Sequence, residues 1–157
     1  MKMTQIEEGS KAPAFDMATD GGGRVSSAGL EGRTVVLYFY PKADTPGCTT
    51  EGQEFSALAE GFAAAGAAVI GVSRDAVKTL DRFKAKYDLK LILASDEPGD
   101  VTEAFGVWVE KSMYGRTYMG VARSTVLIDA AGIVRRVWPK VSVKGHAAEV
   151  LDAVRAL

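Results

Sequence analysis

The run TVVLYFY at residues 34–40 is unbroken in β-branched and aromatic side chains and stops at Pro41. With no polar position to alternate against, it predicts a strand covered on both faces, at the centre of a sheet. From 49 to about 65 the period changes. Phe55, Leu58, Ala59 and Phe62 recur at helical spacing, and Gly66 supplies a stop. The apolar run at 67–72 is the next strand, ending in Ser73 and Asp75, which suit the cap of a helix over 77–87 with Leu80 and Phe83 inward. A short strand at 91–94 and a short helix at 101–105 follow. Residues 124–128 and 133–138 read as strands joined by the hairpin signal Asp129-Ala130-Ala131-Gly132. A closing helix over 146–156 carries Val150, Leu151 and Val154 on one face. Residues 1–33 are polar and glycine-rich, with Gly21-Gly22-Gly23 a turn between two short strands. Strand–helix–strand–helix followed by hairpin and helix predicts an α/β fold, a mixed central sheet with helices on both faces.

Composition narrows the class. The chain has 157 residues, 47% hydrophobic and 25% charged, and shows no repeat or linker, so residues 1–157 are expected to form a single domain. A net charge of −1 gives no electrostatic reason to expect nucleic acid or an anionic membrane as partner. The N-terminal MKMTQIEEGSKAPAF has no apolar stretch of signal-peptide length. One cysteine excludes an internal disulfide and an all-cysteine metal site. With one histidine, His146, placed far along the chain in an expected helix cap, neither a zinc site nor a Cys-His hydrolase is expected. No cofactor is expected, and the compartment expected from cysteine usage is the reducing cytoplasm.

The lone Cys48 follows Thr45-Pro46-Gly47 and stands directly before the helix predicted from residue 49. There it meets unpaired backbone N–H groups and the positive end of the helix dipole, both of which favour thiolate over thiol. A buried cysteine acting as a small hydrophobe is the plain alternative. Other features converge on the same loop. Pro41 ends the central strand, so the loop lies at the carboxyl edge of the sheet, where open α/β folds build sites. Thr45 is near enough for its hydroxyl to bond the sulfur or an oxygen beside it. Glu51, expected in the first helical turn, suits the dipole there and can orient a nearby cation. Arg123 precedes the strand expected beside the central one, where it is either a solvated strand-start arginine or a guanidinium reaching the thiolate. Phe39 and Tyr40 read as core, Trp108 and Trp138 as packing residues with locally satisfied N–H groups, and Lys42 and Asp44 as solvated loop charges.

Together these residues resemble a known family. Pro41, Thr45 and Cys48 stand at the spacing of the peroxiredoxin signature. PGCTTE, GVSRD, FGVW and RSTVLID resemble, in order along nearly the whole chain, the Q-type branch, also called bacterioferritin comigratory protein. The resemblance implies a thioredoxin-like fold and a thiol-dependent peroxidase acting on hydroperoxides. Carried over, Cys48 is the peroxidatic cysteine and Thr45 a hydrogen-bond partner of sulfur and peroxide. Pro41 shields the thiolate, Arg123 holds thiolate and peroxide, and Glu51 orients that arginine. Many members of the branch carry a resolving cysteine five residues after the peroxidatic one. Gln53 stands there, and no other cysteine exists, so this looks like a one-cysteine peroxiredoxin.

Its sulfenic acid then needs an external thiol: thioredoxin, glutaredoxin or glutathione. The chain is expected to be a monomer or weak homodimer. A peroxide sensor without turnover is the competing reading, while a disulfide reductase is disfavoured by the lack of Cys-X-X-Cys. Lowering a thiol's pKa gains little rate by itself, because nucleophilicity falls with it. The larger contribution should come from groups that stabilise charge developing on the peroxide.

Overall fold

The computed structural model describes residues 6–157; of the N-terminal stretch read above, residues 1–5 lie outside the described residues. The strands are β1 (Asp16–Thr19), β2 (Arg24–Ser26), β3 (Thr34–Phe39), β4 (Ala67–Ser73), β5 (Ile92–Ser95), β6 (Trp108–Met113), β7 (Arg116–Val121), β8 (Ser124–Ile128) and β9 (Val134–Trp138). The helices are α1 (Pro46–Ala57), α2 (Ala59–Ala64), α3 (Val77–Tyr87), α4 (Asp100–Ala104) and α5 (His146–Arg155).

Seven strands form one sheet in the order β2-β1-β5-β4-β3-β8-β9. β3 runs parallel to β4 and β4 to β5, while β8 lies antiparallel on the other side of β3. The fold is therefore mixed α/β with β3 well inside the sheet. Alternation along β3 divides its side chains between two cores. Val36, Tyr38 and the following Tyr40 pack with Phe55, Phe62, Leu80, Phe83, Val150 and Leu151 under α1, α2, α3 and α5. Val35, Leu37 and Phe39 face Val101 of α4 and Phe105 just after it, together with Val107 and Val121. Every β3 residue from Val35 to Phe39 is buried, which is why no polar position interrupts the run.

Three local expectations are corrected. The helix carrying Cys48 begins at Pro46, three residues before the predicted start, because proline at the first helical position has no N–H to lose and its φ is already helical. That helix is also not continuous. It breaks at Leu58, whose backbone (φ −103°, ψ 13°) leaves the helical region before α2 resumes. Ser73 and Asp75 do not cap α3, whose N-cap is Ala76 without a side-chain bond. They turn to the Cys48 loop instead.

The β6–β7 hairpin was not anticipated. It stands apart from the main sheet as a two-stranded ribbon, and Tyr114 (φ 52°) and Gly115 (φ 77°) make its turn. Such a left-handed pair matches the twist of the flanking strands. No helix among the described residues is long and apolar enough to cross a membrane.

Candidate active site

With α1 starting at Pro46, Cys48 lies inside its first turn. Thr49 N–H is the first to close a helical bond, onto Thr45 O at 2.8 Å. The N–H groups of Gly47 and Cys48 therefore point out of the helix end without an intrahelical acceptor. Cys48 is only 2% exposed, packed in the core that includes Tyr38, Tyr40 and Ala43.

Arg123 arrives from the neighbouring strand. The register Phe39↔Ser124 sets the start of β8 beside the end of β3, so the residue before it stands at the edge that holds the Cys48 loop. Its Nη2 donates to Cys48 Sγ at 3.4 Å and its Nη1 to Glu51 Oε1 at 2.7 Å. Gly47 makes the approach possible, since a Cβ there would sit 3.1 Å from Nη2. Burial acts to lower the Arg123 pKa, but the negative charge of Cys48 and Glu51 outweighs it and holds the guanidinium above its ordinary range. The guanidinium is fixed by a fork of donors rather than as a point charge.

Glu51 is 1% exposed. It lies past the first turn of α1 as the helix actually begins, so the expected dipole stabilisation does not apply; the helix-end effect falls off within one turn. What holds its charge is Arg123. Burial dominates nonetheless and pushes the carboxyl up to about 7, with Arg123 pulling the other way. Its Oε2 and the Tyr38 hydroxyl make no hydrogen bond among the described residues.

Thr45 departs from the sequence reading. Its hydroxyl donates to Lys42 O at 2.7 Å, not to the sulfur. With its hydrogen committed, Oγ1 presents lone pairs and can act only as an acceptor for a third group. Pro41 stands two residues past the end of β3 and is solvent-exposed, so it does not itself shield the sulfur as expected; the burial of Cys48 is supplied by the core residues named above.

The loop carrying these residues is pinned by partners no local pattern announces. Asp75 Oδ2 accepts from Ala43 N–H and from Ser73 Oγ, each at 2.8 Å. Asp44, read as a solvated charge, instead takes Tyr87 OH at 2.6 Å and Lys86 Nζ at 3.0 Å, in a left-handed backbone of φ 62°. The bond from Tyr87, then that from Lys86, holds its carboxyl below the usual range. Lys42 is exposed as expected.

The two tryptophans and the histidine are structural. Trp138 Nε1 donates to Glu149 Oε2 at 3.0 Å. Trp108 lies under Arg74, whose guanidinium carbon is 3.4 Å from the ring centroid. His146 is the first residue of α5 rather than its cap, buried and bonded through Nε2 to Thr125 Oγ1 at 2.8 Å. Sequence reasoning missed Gly47, Asp75 and Tyr87. The GVSRD segment was noticed, but only the fold shows that its aspartate faces the Cys48 loop.

A single thiol at a helix start, bridged by a half-buried arginine to a buried carboxylate at the edge of a thioredoxin-like sheet, defines a thiol-dependent peroxidase. Residues 9–137 match the AhpC/TSA family, and the chain belongs to it. Within it the chain is similar to the putative peroxiredoxin bcp of Coxiella burnetii, 48% identical over 93% of this chain and 97% of that one. It is 44% identical to peroxiredoxin Bcp of Bacillus subtilis over 96% of each. Among solved structures, the bacterioferritin comigratory protein of Xanthomonas campestris, described for its alkyl peroxide reduction activity, superposes with TM-score 0.89 at 42% identity, covering 96% and 98% of the two chains. Serine variants at two different cysteines of that organism's peroxiredoxin Q have also been solved, whereas this chain has one cysteine.

Proposed function

We propose that the chain reduces hydrogen peroxide and organic hydroperoxides through Cys48 and is restored by an external thiol. The thiolate attacks the distal oxygen of ROOH, the O–O bond breaks, and the products are the Cys48 sulfenic acid and, after protonation, ROH. Arg123 meets the negative charge that develops on the leaving oxygen, and the free N–H groups of Gly47 and Cys48 add to it. Thr45 Oγ1, an acceptor only, takes the O–H of the incoming hydroperoxide and orients it. Glu51 holds Arg123 in place, and Pro41 closes the strand so that the loop turns over the sulfur. The observation that carries this reading is the Arg123 fork, 3.4 Å from Cys48 Sγ and 2.7 Å from Glu51 Oε1.

Resolution then proceeds in two thiol steps. The first thiol displaces hydroxide from sulfur to form a mixed disulfide, and the second releases Cys48 and a disulfide of the reductant. Thioredoxin, glutaredoxin and glutathione all supply this chemistry. The match over residues 9–137 and the continuous main sheet support one domain; the assembly proposed for it is a monomer or weak homodimer. Intact-mass measurement after graded peroxide tests the scheme. A monomer gaining one oxygen, reset by added thiol, is expected. A covalent dimer that forms quantitatively and resists further oxidation would make Cys48 of a second chain the resolving thiol. Multiple turnovers with supplied thiol separate the peroxidase from a peroxide sensor.

A further inference from the structure

The β6–β7 hairpin brings a second cation to the segment that leads into Arg123. Lys111 pairs with Tyr118, and Val109 with Gly120, so strand alternation sets these four residues on one face of the ribbon. The Lys111 stem lies across the bare Cα of Gly120, where a Cβ would sit 3.2 Å from its Cδ and 3.4 Å from its Cε. From that seat Nζ donates to Val121 O, two residues before Arg123, whose guanidinium holds Cys48. The ammonium senses both groups. Burial, then the charge of Arg123, lowers its pKa, and Cys48 acts in the opposite direction.

An ammonium has three N–H donors, and Val121 O takes one. Lys84, Lys86 and Lys90 each close an ion pair with an aspartate, but Lys111 enters none among the described residues. Glu110, its neighbour in sequence, is on the opposite face of the ribbon. Lys111 is thus a half-buried cation with donors to spare, held at the carbonyl two residues before Arg123.

Once Cys48 is oxidised its sulfenic acid is neutral, so fixed charge around it decides which reductant is drawn in. The chain as a whole cannot supply that attraction, with a net charge of −1. A cysteine 2% exposed also favours a slim attacker. We propose that Lys111 is a specificity-determining residue for resolution, whose ammonium, beside Arg123, selects a low-molecular-weight thiol bearing carboxylate groups. The inference rests on the external-thiol reading above. The step balances: the thiolate sulfur bonds to Cys48 sulfur, hydroxide leaves and is protonated to water, and a second such thiolate releases Cys48 with the small disulfide.

The test forms the sulfenic acid with one equivalent of hydrogen peroxide and mixes it with 3-mercaptopropionate, 2-mercaptoethanol or cysteamine, which carry negative, zero and positive charge. Rates are expressed per thiolate. The ratio of 3-mercaptopropionate to cysteamine should be about tenfold larger in the wild-type protein than in Lys111→Met, the low end of electrostatic rate effects. Lys111→Arg should restore most of it, and added salt should shrink the wild-type ratio. An unchanged ratio in Lys111→Met, or a wild-type ratio indifferent to salt, overturns the assignment. If Lys111→Met fails to fold, the salt series on the wild-type protein decides. If no thiol removes the sulfenic acid, the external-thiol reading falls and this inference with it.

Discussion

Glu51 makes the stability of the protein depend on pH in an unusual direction. A carboxyl normally near 4.5 is pushed up to about 7 in the fold, chiefly because burial disfavours its charge. Between those values the native state holds a proton that the unfolded chain has released. Stability contributed by the protonated carboxyl is complete below 4.5, declines as pH rises through the window, and is gone above about 7. A displacement of that size, at roughly 1.4 kcal/mol per pKa unit, corresponds to about 3 kcal/mol. Glu51 is 1% exposed, so solvent screening does not reduce the figure much. Glu51→Gln keeps the shape and an oxygen for Arg123 Nη1 but cannot ionise.

The assay is urea unfolding of both proteins from pH 4.5 to 8, followed by tryptophan fluorescence. Differences between the two cancel titrations elsewhere, as long as those sites are independent. The stability of Glu51→Gln relative to wild type should rise by about 3 kcal/mol from the acid end to the alkaline end. A difference that stays flat across the range, or that falls with pH, would refute the reasoning, since Arg123 would then be compensating the buried charge in full.

Cys48→Ser should abolish peroxidase turnover and leave far-UV circular dichroism unchanged; measurable turnover in that variant removes the thiol from the mechanism. Thr45→Val removes an acceptor and the bond to Lys42 O, and should slow oxidation of Cys48 by about 100-fold, read by stopped flow. Gly71→Ala places a Cβ 2.6 Å from Cζ of Tyr38, whose ring stacks on Phe55 with centroids 4.5 Å apart. Overpacking there should cost about 2 kcal/mol or more, seen as a lower urea midpoint with unchanged slope.

β3 was legible because it is covered on both faces, so its side chains had to be uniformly apolar. α3 was legible too, since Leu80 and Phe83 meet the core while its other face is polar. β6 and β7 left no such trace. Their residues are mostly exposed, Met113 at 55% and Tyr118 at 45%, so burial imposed no alternation. The surviving signal was the Tyr114-Gly115 pair at the turn. The start of α1 was misplaced for a different reason: Thr-Pro-Gly satisfies both a turn and a helix start, and only the Thr49–Thr45 bond distinguishes them. In the site, Cys48 could be reasoned from its local setting. The Arg123 fork joins residues 72 and 75 positions apart, a juxtaposition that periodicity does not encode; the expected strand order left it as one of two readings, and the family resemblance favoured it. The Asp44–Tyr87 and Ala43–Asp75 contacts were invisible on the same ground.

The central claim is that Arg123 accelerates cleavage of the O–O bond rather than merely ionising Cys48. The direct measurement compares two second-order rate constants for Cys48 at one pH, in wild type and in Arg123→Met. One reaction is oxidation by hydrogen peroxide, and the other is alkylation by iodoacetamide, in which no oxygen leaving group gains charge. Loss of a fixed donor at the developing oxyanion should lower the peroxide rate by about 100- to 1,000-fold. The alkylation rate should change only severalfold. If both rates fall in the same proportion, Arg123 acts on the thiol alone, and the account of how this site reduces peroxide is wrong.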